Sequence, residues 1–160
     1  MIRSLLYLVA IFFVAFTAQI ELPIFLHPGF ELLNIPLIAL CHLSLRKGAL
    51  SGLFIGLFVG LTADILGSGL VGVYAFSYAT IGFLVGELGY RFFLTKPYLE
   101  GVVVGGAVML NLLLVKFLSL IFSFATPHFF SYFLLFRFLL NGLFALFLLF
   151  VLELYRRGKG

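Results

Sequence analysis

Apolar residues run along this chain in long blocks separated by short polar or glycine-rich joints. The blocks predict six helices: Ser4 to Ile20, Asn34 to Leu45, Gly48 to Leu66, Val71 to Tyr90, Tyr98 to Phe124 and Phe129 to Leu152. Most are close to the ~20 apolar residues that a helix needs to cross a bilayer. The second is too short to cross alone. The stretch 21–34, ELPIFLHPGFELLN, is therefore expected to add depth as a kinked or re-entrant segment, broken by Pro23 and Pro28, with Pro36 just beyond.

Within the third block, glycines at 48, 52, 56 and 60 step by four, and the next step lands on Asp64. Positions four apart lie near one another on a helix surface, so this spacing draws a groove free of side chains. In water each interior glycine costs ~1 kcal/mol relative to alanine. In a bilayer, helices associate through close packing at small residues, and the same pattern becomes a packing seam. The seam Gly48, Gly52, Gly56, Gly60 is expected to receive a partner helix. The fourth block continues the theme with Gly72, Ala75, Ala79, Gly82 and Gly86, and the fifth with Gly101, Gly105 and Gly106. The sixth is rich in Leu and Phe, with Gly142 alone, and suits lipid or a partner.

Composition agrees with a membrane chain. Of 160 residues 64% are hydrophobic and 10% charged, against about 25% charged in soluble domains; mean hydropathy is +1.27. The expected class is all-α, a polytopic membrane protein with six transmembrane helices forming one integral-membrane domain over residues 1–160. The net charge of +4 is not gathered into a nucleic-acid patch. With six spans, Arg3, Arg46, Lys47, Arg91, Lys96, Arg156, Arg157 and Lys159 all fall on one side. By the positive-inside rule that side is cytoplasmic, and both termini lie there. The first block follows Arg3 without an A-x-A cleavage site and reads as a retained helix. A lone Cys41 excludes an internal disulfide and a cysteine-based zinc framework.

The charges near the cytoplasmic face have structural readings. Glu87 with Arg91 and Glu153 with Arg157 are i,i+4 helix pairs, and Glu100 suits a first helical turn. The two cations inside spans, Lys116 and Arg137, each lie about eight residues from the external turn, ~12 Å deep by helical rise. Asn111 and Asn141 add amides to the same two helices. One reading makes Lys116 and Arg137 line a polar cavity open to the outside, with Asn111 and Asn141 on the same helices and Asp64 nearby as counter-ion; with one more cation than anion it would favour an anionic group. The other makes them packing groups that pair, bond to backbone carbonyls or snorkel.

Several motif matches lack their context. Gly67 to Gly72 reads GSGLVG, but a nucleotide fingerprint needs a strand before it; Gly67, Gly69 and Gly72 read as a tight external turn. Cys41 and His42 point to different helix faces, and His27 and His128 make no metal site. No cofactor is expected, and no nucleophile and base share a plausible depth.

A glycine-rich third span ending in Asp, a short turn and a glycine eight positions on (Gly56, Gly60, Asp64, Gly72), then an Ala- and Tyr-containing span, resembles the MreD family of rod shape-determining proteins. The match covers about residues 48–90. It implies a fold similar to the substrate-binding S components of energy-coupling factor transporters. The implied function is non-enzymatic: an inner-membrane scaffold of the elongation machinery that binds MreC. Through MreC it would connect MreB filaments to RodA and a class B penicillin-binding protein for lateral peptidoglycan synthesis, with room for a homo-oligomeric contact in that complex. The rival is a true S component importing a vitamin or metal. Such proteins carry an Ala-x-x-x-Ala series on the first span, where this chain has bulky residues between Ala10, Ala15 and Ala18.

Overall fold

A computed structural model describes residues 33–66, 70–92, 97–122, 136 and 138–147. Its elements are α1 (Ile35–Lys47), α2 (Ala49–Leu66), α3 (Val73–Phe92), α4 (Pro97–Phe122) and α5 (Phe138–Phe147). Among the described residues every regular element is a helix. The spans Ala49–Leu66 and Leu99–Phe122, at mean hydropathy 2.0 and 2.1, are long and apolar enough to cross a membrane. The first expected block, Ser4 to Ile20, and the stretch 21–32 lie outside the described residues. Six spans therefore remain an expectation; among the described residues the structure is all-helical, with two such helices.

Local chemistry sets the helix ends. Asn34 caps α1, its side-chain oxygen accepting the Leu37 N–H at 3.3 Å, and a proline sits in the first turn, where no N–H is needed. Arg46 and Lys47 occupy the last turn, where cations suit the helix dipole. Gly48 alone joins α1 to α2. Its N–H donates to the Ser44 carbonyl, and its own carbonyl accepts from Gly52, each at 2.9 Å. Its φ of +86° is a left-handed conformation that favours glycine.

α2 and α3 form an antiparallel hairpin in extensive contact, with α1 laid against both and α4 meeting α3 and α1. The core gathers Leu37, Leu40 and Cys41 from α1, Tyr78, Ile81 and Val85 from α3, and Val104 and Val108 from α4. The outward faces carry large apolar side chains, including Phe54, Phe58, Leu113 and Phe117. A water-soluble monomer rarely shows apolar faces this large; against lipid tails they cost nothing.

Candidate functional site

The seam on α2 is filled from within the chain. A Cβ placed on Gly52 would overlap the Gly82 backbone, on Gly56 the Tyr78 carbonyl, and on Gly60 the backbone of Tyr74 and Ala75. Each step of four forward on α2 thus meets a step of four back on α3. The register runs on past Gly86, where a Cβ would sit 2.6 Å from the Ala49 nitrogen, to Gly89, 2.7 Å from the Leu45 carbonyl oxygen of α1. This corrects the expectation that Gly52, Gly56 and Gly60 lie open to a partner helix, because α3 already rests on them. Gly48 has open space around it, so its backbone conformation, and not a close neighbour, calls for glycine.

Asp64 closes the same hairpin. It is buried, 3% exposed, at the end of α2. Its Oδ2 accepts the N–H groups of Gly72 at 2.8 Å and Ala75 at 3.0 Å, and its Oδ1 accepts that of Tyr74 at 3.0 Å. The carbonyl of Gly72 accepts the Phe76 N–H, which makes Gly72 the N-cap position of α3. An N-cap side chain normally satisfies the N–H groups two and three residues on. Gly72 has no side chain and holds φ +106° in the turn, so Asp64, eight residues earlier, supplies the missing acceptor. A carboxylate there also complements the positive end of α3. Both of its oxygens are engaged by backbone donors, so the structure gives Asp64 a capping role beside the counter-ion role expected of it toward Lys116 and Arg137. Gly67 and Gly69 lie outside the described residues.

The two asparagines expected in a polar cluster are buried, in two separate pairings. The Ser77 hydroxyl donates to Asn111 Oδ1 at 2.7 Å, joining α3 to α4. Asn141 on α5, wholly buried, accepts the Asn34 N–H on its Oδ1 at 2.8 Å. Asn34 Oδ1 in turn accepts the Tyr78 hydroxyl at 2.9 Å, so one residue at the start of α1 binds α3 and α5 together. Sequence reasoning passed over Asn34, Ser77 and Tyr78. The available signal was Asn34 directly before Ile-Pro, an N-cap placement. Removing the hydroxyl in Tyr78→Phe is expected to lower stability by about 0.6 kcal/mol, the average for such bonds within membranes. Equilibrium unfolding in mixed micelles would read the loss, and a variant as stable as the parent would deny the bond any stabilising share.

Lys116 and Arg137 were expected at equal depth. The close approach of Gly142 to Gly101, and of the Phe138 ring to Gly105, sets α5 antiparallel to α4. Phe138 lies level with Gly105, eleven residues before Lys116, or ~16 Å along the axis. Lys116 itself is half-buried, and Arg137 lies outside the described residues. The structure instead pairs His42 Nδ1 of α1 with Glu100 Oε1 of α4, both partly buried, near the end of the bundle that carries Arg46 and Lys47. Glu100 thus sits in the first turn of its helix, as expected, and also reaches across to α1. Cys41, beside His42, points into the core. Among the described residues no group of three metal-ligating side chains forms.

Among the described residues these polar contacts join one helix to another. A family model described as rod shape-determining protein MreD matches residues 1–158 of the chain. No curated protein and no solved structure matches it.

Proposed function

The chain belongs to the rod shape-determining protein MreD family, membrane proteins of cell-shape determination, and from this premise we propose that it is a non-enzymatic scaffold of the rod complex, a single multi-pass domain with both termini cytoplasmic. Its direct partner is MreC. Through MreC it acts on MreB, RodA and a class B penicillin-binding protein in lateral peptidoglycan synthesis. The observation that carries this reading is the family match along nearly the whole chain. The polar groups support it as well, because they are spent on joining helices.

With the α2 seam occupied by α3, the partner helix has to meet another face. The Phe-rich last span offers one. Leu139, Leu143 and Phe147, spaced four apart, form an exposed apolar stripe along α5, with Phe136 exposed just before it. In lipid such a stripe binds a second helix through shape and van der Waals packing. Leu139→Ala combined with Leu143→Ala is expected to reduce MreC recovered by co-purification about tenfold, as loss of a central contact does. Phe54→Ala with Leu61→Ala, on the outward face of α2, should leave recovery unchanged. Equal recovery from all variants would remove α5 as the partner face. Failure of the unaltered chain to retain MreC would remove the scaffold reading itself.

A further inference from the structure

A glycine inside a helix gives up order and packing, so it calls for a close neighbour that requires it. Among the described residues the helical glycines meet that demand with one exception. Gly52, Gly56 and Gly60 lie under α3, Gly82 and Gly86 against α2, and Gly89 against Leu45 of α1. On α4, Gly101 receives the Leu146 side chain and Gly105 the ring of Phe138, while a Cβ on Gly142 of α5 would stand 3.2 Å from the Gly101 carbonyl oxygen. Gly106 differs: it is exposed, and a Cβ there meets nothing within 4 Å. Val102, Met109 and Leu113 share its helix face, at steps of four, three and four, and all three are exposed. Gly106 is therefore a notch in a bulky apolar face. Lipid tails are as apolar as leucine and adapt to either surface, so they give no reason for glycine there.

The surroundings of the notch follow from how α4 meets α5. Along α4, Val104 is buried in the core, Gly105 meets α5, and Gly106 is exposed. Along α5 the order repeats, with Asn141 buried, Gly142 against α4, and Leu143 exposed. In antiparallel helices the same order of faces turns both exposed sides to one flank of the pair. The heights agree as well. Gly105 is level with Phe138, so Gly106 and Leu139, the next residue on each helix, stand only ~3 Å apart along the axis. The notch thus opens beside Leu139 and Leu143.

We propose that the partner helix lies across α4 and α5 together, seated on Leu139 and Leu143, and inserts one large apolar side chain at Gly106. This rests on the scaffold reading and names the chemistry of its partner. Val102, Met109 and Leu113 hold a second backbone off this face, so what reaches the notch is a side chain, as a knob fills a hole between packed helices. A second copy of this chain suits the face less well. A two-fold contact at this point would set Gly106 against Gly106 and leave both notches empty.

The test uses the full chain with MreC, and compares Gly106→Leu, Gly106→Ala and the Leu139→Ala, Leu143→Ala double variant. Gly106→Leu is expected to unfold in mixed micelles as the parent does, yet to retain about tenfold less MreC, the scale of one overpacked contact. Gly106→Ala should fall between Gly106→Leu and the parent. Parental recovery of MreC by Gly106→Leu, with loss in the α5 double variant, would overturn the notch and leave the scaffold reading standing. Loss in Gly106→Leu alone would place the partner on α4 and overturn the shared seat. Lower stability of Gly106→Leu would also count against it, because the glycine would then be packed inside the chain. So would efficient disulfide linking of two copies through Met109→Cys in a Cys41→Ser chain with MreC present, which assigns the face to a second copy. Failure of the unaltered chain to retain MreC would instead remove the scaffold reading beneath it.

Discussion

Gly56→Leu is expected to destroy the α2–α3 hairpin, so that little folded protein remains in the membrane for any partner to bind. Even a methyl group at this position would meet the carbonyl of Tyr78, with the Tyr78 carbonyl carbon 2.6 Å away and the Ala79 nitrogen at 2.9 Å. These are backbone atoms and cannot rotate aside. The two helices would have to separate, which also pulls on the neighbouring contacts of Gly52 and Gly60. Overpacking a core typically costs ~1–3 kcal/mol where side chains yield, and here the cost is expected to reach or exceed ~3 kcal/mol. Gly106→Leu is the matched control, because a Cβ at Gly106 finds nothing within 4 Å. That variant should stay within ~0.5 kcal/mol of the parent. Unfolding in mixed micelles, together with the amount of chain in the membrane, separates the two. If Gly56→Leu is fully stable and loses only its partner, then the seam faces outward and the internal packing is misassigned.

The second large effect is expected at Asp64. Asp64→Ala strips an acceptor from three backbone N–H groups at the start of α3, one of them, that of Ala75, buried, in a position where Gly72 offers no substitute. Loss of a cap costs ~0.5–2 kcal/mol, and each buried donor left unsatisfied adds ~1–3 kcal/mol. A total of about 2–4 kcal/mol is expected, allowing for local rearrangement of the turn. Asp64→Asn keeps one acceptor oxygen and removes the charge, so it should fall between alanine and the parent. The counter-ion alternative predicts something different. If Asp64 served Lys116, the double variant with Lys116→Met would be less harmed than the sum of the singles; under capping the two effects add within ~0.5 kcal/mol. Asp64→Ala as stable as the parent would sink the capping role.

Both results turn on elements that were partly legible in the linear sequence. The four-residue glycine spacing marks a groove wherever a helix forms, since helical geometry alone places those positions together. The all-helical membrane character follows from hydropathy. Asp64 stood out as a carboxylate in an apolar run, yet its spacing of eight to Gly72 gives no hint of capping unless the turn is known to bring it back over the next helix. Ser77 and Tyr78 are inconspicuous in the α3 sequence, and become visible only when Asn111 and Asn34 arrive opposite them. The His42–Glu100 pair spans 58 positions, beyond the reach of any local pattern.

What the sequence determined by itself was therefore which surfaces are bare, which residues can end a helix and that the helices suit a bilayer. Only the tertiary structure decided what fills the bare surface and which polar groups meet. The physical reason is that a groove specifies a shape without specifying its occupant. The short turn after α2, pinned by Asp64, returns α3 antiparallel beside it, with Gly82 and Gly86 in matching register. That local connection puts the chain's own helix in the groove ahead of any second molecule.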